Sequence, residues 1–569
     1  MEPVLPPWAE QLRDRYLAGE SSVFLLHGNV RDIQPWSDAD GTIRYVSLRE
    51  FLSRFLGRNK DTVLYYNLSE GIEFTEPRQL AAFKKAINTR RLLDGKDLLT
   101  EPLPRDTAPV LGLIEELVTD PTQRAGVIID YVEMIAPNGD LSFMSDSDKS
   151  NLVTLLRLGG DPGLLQSDNL MTMVTEQLSD VHRRLVSSSH IAPLDVPLPA
   201  LEERAQFLRL QDRRGITFQL DDAQLAKVTA GLTLLQIRGL LRKARQSKEP
   251  ITFAVVNRRK KAIIEQECHG LVEFVDPAHD FSGVGGMDAV KDELRRVADG
   301  IKQGQRNRVP MGAIFVGPMG TGKTFVAEAF ARESGLTCLK FKNFREKWVG
   351  STEGNLEKIL QVVDGLGYVL LILDEADRSL SSGSEGDGGT SSRVIARLKE
   401  FMSDTSHRGR VVILMMTNRP DKLDTDLKRP GRFDLKIPFF YPETPSEREA
   451  VIRAVCRRGQ LTLAAGVSFD NALAGTHGYS AAELEAVVLA AANFAGWDGR
   501  EEVSQLDLDR AVSDVIPSRD VRMLEYMELL AVFEASSRRM LPARYQGMDT
   551  EEVQAKLDVL RAQLGHRAG

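Results

Sequence analysis

Chemistry in this 569-residue chain is concentrated first in one loop, Gly317-Pro318-Met319-Gly320-Thr321-Gly322-Lys323-Thr324. Its glycines free the backbone to curl and aim N–H groups inward, while Lys323 adds an ammonium and Thr324 a hydroxyl. An apolar run at 313–316 precedes the loop and a helical pattern follows it, so the positive end of a helix dipole faces the same space. That combination cradles the phosphates of a nucleotide: Lys323 meets the terminal phosphates, and Thr324 holds magnesium. ATP and Mg2+ are the expected cofactors.

Three further places supply the rest of a hydrolytic site. The apolar run 368–373 ends in Asp374-Glu375, and neighbouring strand positions face different ways, so the two carboxylates take two roles. Asp374 suits the metal, and Glu375 suits the water that attacks a terminal phosphate. The next apolar run, 411–416, leads to Asn418, whose amide either orients that water or forms a turn before Arg419-Pro420. Arg429 and Arg432 sit in LKRPGRFD, where Pro and Gly fix the loop and two guanidiniums point outward. Taken alone, surface ion pairing explains those arginines.

Such residues need a rigid frame. The three apolar runs are short and nearly continuous, as strands covered by helices on both faces are. They predict an α/β parallel-sheet domain over 280–441. Beyond it, Pro442 and Pro445 break the chain before SEREAVIRAVCRR, and 481–495 carries a helical apolar face, which predicts a helical lid over 442–518. The tail, 519–569, reads as helices. Its segment DVRMLEYMELLAVFEASSRRMLP is amphipathic and either packs on its own chain or meets a neighbour.

The first half repeats this order at an offset of about 245 residues. AGVIIDYVEMI (125–135) parallels VLLILDEADRSL (369–380), and NLMTMVTEQLSDVHRRL (169–185) parallels VVILMMTNRPDKLDTDL (411–427). LPALEERAQFL (198–208) parallels ETPSEREAVI (443–452), and VTAGLTLLQIRGLLRKA (228–244) parallels GTHGYSAAELEAVVLAA (475–491). The reading is two tandem modules: a large domain over 1–195 with a lid over 196–258, a linker over 259–279, then the second pair. The first module lacks the chemistry. SSVFLLHGNVRD and IQPWSDADGTIRYVS stand where a phosphate loop belongs, without Gly-Lys-Ser/Thr. Asp130 matches Asp374, but Tyr131 replaces Glu375, and Glu176, which repels a terminal phosphate, replaces Asn418. Ser187 and His190 replace the arginines, with Arg183 and Arg184 nearby. A structural role is expected for this module.

Bulk properties narrow the class. The length exceeds one hydrophobic core, and 42% hydrophobic with 27% charged residues is ordinary globular composition. With 73 basic and 81 acidic residues the net charge is −8, which argues against a general nucleic-acid binder. Three scattered cysteines without a CxxC pair fit a reducing compartment and offer no zinc site. No apolar run nears the roughly 18–20 residues that span a bilayer, and the N-terminus lacks a signal pattern. The expected location is the cytoplasm, with no membrane partner. None of the eight histidines is followed by glutamate, so no HExxH metalloprotease pair is present.

The order and spacing of phosphate loop, LLILDEAD, Asn418 and RPGRFD resemble the AAA family, in the subfamily of valosin-containing protein and the N-ethylmaleimide-sensitive factor. The resemblance covers 280–518 and implies tandem P-loop AAA+ modules in a hexameric ring. It implies that Arg429 and Arg432 act as arginine fingers on a neighbouring subunit's ATP. It sets Val284 and Gly285 of SGVGGM on one side of the adenine, and His477 and Ala482 on the other. Lys347-Trp348-Val349-Gly350 matches the family's first pore loop, in which Trp348 and Val349 grip an extended polypeptide; without the family, Trp348 reads as a core aromatic. The Gly/Ser-rich stretch 381–392 resembles a second pore loop or, alone, a flexible linker. The implied function is an ATP-hydrolysing motor that unfolds or disassembles proteins. The alternatives are a nucleic-acid motor, in which the lid sequence GYSAAELEAVV would carry an arginine, and an ATP-switched assembly scaffold. Unlike the family, the chain is expected to begin directly with a module near residue 8, without a separate N-terminal domain.

Overall fold

The computed structural model describes residues 5–38, 40–99, 102–268, 270–342, 352–376, 390–429, 431–517 and 520–565. The chain forms two compact units, Met1–Ile264 with Gly354–Gly365, and Glu265–Glu353 with Leu366–Gly569.

The first unit contains β1 (Val23–Gly28), β2 (Ile33–Ser37), β3 (Ile43–Ser47), β4 (Thr62–Asn67), β5 (Gly71–Phe74), β6 (Ala125–Asp130), β7 (Leu170–Val174) and β8 (Ala192–Val196). Six of these form a sheet of order β5-β4-β6-β7-β1-β8, parallel except at the β4–β5 edge. Side chains alternate across each strand, so Val23, Leu25, Val127 and Met171 pack into one core while Phe24, Leu26, Ile128 and Leu170 pack into another. Both faces are therefore apolar, which explains the unbroken apolar runs. The helices Leu201–Arg209, Asp222–Val228 and Leu234–Ser247 follow as a lid.

The second unit winds the same way. Its strands are β9 (Val272–Val275), β10 (Gly312–Val316), β11 (Thr337–Phe341), β12 (Val369–Leu373), β13 (Val411–Thr417) and β14 (Leu435–Pro438), in the order β14-β10-β13-β12-β11-β9. Read from the opposite edge, β8-β1-β7-β6-β4 has the same succession, with β1 in the place of β10. Only the antiparallel edge strand comes from elsewhere: β5 follows β4 as a hairpin, whereas β9 precedes its whole sheet. The stretch 259–279, read from sequence as a linker, is thus corrected. A helix runs over Phe253–Glu267, and β9 pairs with Cys338–Phe341, its Val272 fully buried. The common offset holds for β6, β7 and β8. It widens for β1 and β4 because the first module inserts the hairpin β2–β3 and the helix Pro77–Leu93.

The second lid packs Pro445–Arg458, Asp470–Gly475, Ala481–Trp497 and Gln505–Asp514 around Ile452, Leu484, Val487 and Leu508. Capping boxes start three of these helices, Thr444 with Glu447, Ser480 with Glu483 and Ser504 with Asp507, and Thr233 with Gln236 does the same in the first lid. The tail forms the helices Val521–Glu534, Ala543–Gln546 and Thr550–Gly565. Its amphipathic segment packs within its own unit: Tyr526, Leu530 and Tyr545 cluster with Phe440 beyond β14, and Met540 joins the core of the second sheet.

Candidate functional site

The loop after β10 can close only with glycine at its start. Gly317 has φ 151°, and a Cβ there would lie 2.2 Å from the Phe439 carbonyl oxygen. The chain then turns into the helix Lys323–Ser334. Lys323 Nζ donates to the carbonyls of Gly317 (2.8 Å) and Pro318 (2.7 Å) and to Asn418 Oδ1 (2.8 Å), which gathers loop and β13 around one ammonium. Thr321, fully buried, donates to Pro318 O at 2.9 Å. Tyr441 OH donates to Met319 O at 3.1 Å; burial pushes its phenol up to about 12, so it stays a donor.

At the end of β12, Thr324 Oγ1 donates to Asp374 Oδ2 at 3.5 Å, and Lys340 Nζ from β11 lies 2.9 Å from the same oxygen. Glu375 follows with φ 48°, and its N–H donates to Asp374 Oδ1 at 3.0 Å. A left-handed backbone at a non-glycine position is a strained turn.

These groups share a cavity of about 840 Å³, within the range of small-molecule sites. Gly320, Thr321, Gly322, Lys323, Thr324, Asp374, Glu375 and Asn418 line its polar end together with Lys340. Val284, Gly285, Met319, Phe325, Val451 and Ala482 line the other end. Gly285 passes so close to the lid that a Cβ would meet Val451 Cα at 2.5 Å. His477 is corrected: it is exposed, in the turn between buried Thr476 and Ser480, and does not line the cavity. His279 stacks on Phe325 with centroids 3.7 Å apart, and the Arg458 guanidinium lies 4.8 Å over the same ring and pairs with Glu485.

Arg429 and Arg432 do not line this cavity; Arg429 pairs with Asp426 at 3.1 Å, and Arg432 donates to the Asp426 carbonyl at 2.9 Å. Trp348, Val349 and most of 381–392 lie outside the described residues. Sequence reasoning missed Lys340, Phe325, Arg458 and Glu485. For Lys340 a signal existed, since a lysine inside the covered strand TCLKF is out of place without a charged partner. The residues fit a magnesium nucleotide: a hydroxyl and a carboxylate oxygen face each other beside an ammonium on a phosphate-type loop.

At the corresponding place the first unit carries a cluster of its own ion-paired side chains. Arg31, in the loop after β1, donates to Asp130 Oδ1 and Oδ2 at 2.8 and 2.9 Å and to Glu176 Oε1 at 3.2 Å, and lies 3.9 Å over the Tyr131 ring. Tyr131 repeats the Glu375 turn, with φ 56° and its N–H on Asp130 Oδ1 at 2.8 Å. Tyr65 OH donates to Asp130 Oδ2 at 2.7 Å from the register of Lys340: Tyr65 pairs with Ile128 as Lys340 pairs with Ile372. Beside Arg31, buried Asp32 accepts from Leu234 N (2.7 Å), Leu235 N (2.9 Å) and Ile33 N (2.9 Å), capping the lid helix. Burial pushes the Asp32 carboxyl up, against the pull of those N–H groups. In the second unit the matching lid N–H, that of Ala482, donates to the Gly320 carbonyl at 3.0 Å.

Three family models match in succession: the N-terminal Rossmann-like domain of AAA+ chaperones over 2–197, their second helical domain over 202–269, and the ATPase family associated with various cellular activities over 313–441. The ATP-dependent zinc metalloprotease FtsH 3 of Sphaerobacter thermophilus is 33% identical over 275 residues, 46% of this chain and 55% of that protein. The cell division cycle protein 48 homolog of Archaeoglobus fulgidus is 27% identical over 317 residues, 53% of this chain and 42% of that protein. The chain thus spans about half the length, or less, of the curated relatives it matches. With the doubly repeated sheet order, the phosphate loop on β10 and these matches, the chain belongs to the AAA ATPases as a tandem-module member.

Proposed function

We propose that this chain is an ATP-driven protein-remodelling motor that hydrolyses ATP in its second module and assembles as a hexameric ring. One observation carries the reading: Lys323, Thr324, Asp374, Glu375 and Asn418 converge on a single cavity, while in the first module Arg31 pairs with Asp130 and Glu176 at the matching place. Lys323, now held by Gly317, Pro318 and Asn418, turns to the terminal phosphate. Thr324 and Asp374 hold magnesium, which when bound neutralises phosphate charge. Glu375 orients water and takes its proton as the water oxygen bonds to the γ-phosphorus and the bridging oxygen leaves with ADP. Asn418 fixes that water.

Arg429 and Arg432, lying outside their own cavity, reach the ATP of a neighbouring subunit; such arginines are worth about 10³–10⁵ in rate. Trp348 and Val349 grip a polypeptide in the ring channel, and the protein works in the cytoplasm. The metalloprotease relative is described as ATP-dependent, which supports nucleotide use.

The test is ATPase rate against protein concentration for the wild type and Glu375→Gln, with mass photometry of the variant in ATP. Expected are a rate per chain that rises with concentration, loss of hydrolysis in Glu375→Gln, and a trapped hexamer. A monomer that hydrolyses ATP undiminished by the substitution contradicts both site and ring. Trp348→Ala, keeping ATPase but losing remodelling of a model substrate, separates threading from an ATP-switched scaffold.

A further inference from the structure

The C-terminal tail bears on the arginine loop through one carboxylate. Glu534 ends the helix Val521–Glu534, its side chain only 9% exposed. Its Oε1 accepts from Lys428 Nζ at 2.5 Å and its Oε2 from Lys436 Nζ at 3.0 Å. Lys428 immediately precedes Arg429, and Lys436 lies on β14 shortly after Arg432, so a single group ties both ends of the arginine-bearing segment. Two more contacts hold the tail in place. Ser536 N donates to Lys436 O at 3.0 Å while Lys436 N donates to Ser536 Oγ at 2.6 Å, which tethers the residue after the helix to β14. Tyr526 OH donates to Asp421 Oδ2 at 3.3 Å, and Arg419, paired with Asp421 at 2.8 Å, lies 5.2 Å over the Tyr526 ring. The tail therefore grips the segment that leaves Asn418 as well as the one that carries the arginines.

We propose that the tail sets the reach of Arg429 and Arg432 into the neighbouring site, with Glu534 as the positioning residue. The inference rests on the shared-site reading above. A nearly buried carboxylate that compensates two ammoniums is costly to remove, because the lysines are left facing each other without it. The segment then relaxes outward and takes the guanidiniums with it, while the nucleotide cavity, which Glu534 does not line, keeps its shape. Misplacing a catalytic group by about 1 Å costs on the order of 100-fold in rate, so Glu534→Gln is expected to lose about 10- to 100-fold.

The experiment uses the full chain and mixed subunits. Glu534→Gln, and as a gentler second variant Glu534→Asp, are measured for ATPase, for affinity toward a fluorescent ATP analogue, and for assembly. Each is then mixed with Glu375→Gln, whose subunits carry an intact arginine loop but no base. The expected result is analogue affinity and assembly like the wild type, a lowered ATPase, and recovery of activity in the mixture, because Glu534→Gln subunits retain Glu375. A merely structural lesion would not be repaired by an inactive neighbour. Wild-type ATPase in both variants overturns the inference. So does a loss that mixing does not repair, provided the control Arg429→Ala/Arg432→Ala is repaired by Glu375→Gln. If that control also stays inactive, the shared-site reading has failed and the inference falls with it.

Discussion

Asp130 and Asp374 end equivalent strands, begin the same left-handed turn and accept the same backbone N–H, yet they face different cations. Asp130 meets a guanidinium that also holds Glu176 and covers Tyr131. Asp374 meets the Thr324 hydroxyl and the Lys340 ammonium in an open cavity. A planar guanidinium bound at several points stays put, whereas an ammonium on a flexible stem moves aside. On the function proposed above, the fold alone does not decide whether such a module turns over nucleotide; the side chains resident at the strand ends do. Arg31 supplies the charge that a metal and lysine would bring, and Asp32 supplies an anion at the lid helix N-terminus, where anions are favoured.

The largest effect should fall on hydrolysis. Glu375→Gln is expected to lower ATPase at least about 100-fold, the scale of a general base, whereas Tyr131→Phe at the matching turn should leave the rate unchanged in the same steady-state assay. Next comes stability: Arg31→Met leaves Asp130 and Glu176 without their guanidinium and should cost about 2–3 kcal/mol in denaturant unfolding, discounted for partial exposure. ATPase lost while stability holds would reverse the roles assigned to the two places. Asp32→Ala removes the acceptor of the Leu234 and Leu235 N–H groups and should cost about 1–2 kcal/mol, seen as loosened protection of 234–247 in hydrogen exchange. The smallest effect belongs to Lys340→Met. Removing a resident cation from Asp374 should lower the Mn2+ concentration for half-maximal binding, read by electron paramagnetic resonance on the ADP-loaded protein, by about threefold; an unchanged midpoint would make Lys340 a strand staple.

Much of the second module was legible because its chemistry demands particular residue types in sequence order: glycines, Lys323 and Thr324 on one loop, then Asp374, Glu375 and Asn418 at strand ends. The repeat also identified Asp130, Tyr131 and Glu176 as counterparts. What replaced the lost chemistry was not legible, since Arg31 finds Asp130 and Asp32 finds Leu234 only after the sheet and lid have formed. β9 escaped because a four-residue edge strand beside a basic helix looks like a linker in composition. His477 was placed by resemblance, but a turn of exposed residues carries it away from the cavity, and Phe325 with Arg458 stand there instead.

On this reading, one of two like-folded modules binds nucleotide. Calorimetric titration of the Glu375→Gln protein with ATP and Mg2+, repeated with Lys323→Ala added, counts the sites directly. One nucleotide per chain, abolished by Lys323→Ala, is the predicted result. Two per chain, or one that survives Lys323→Ala, would mean that Arg31 yields to nucleotide and would contradict the account.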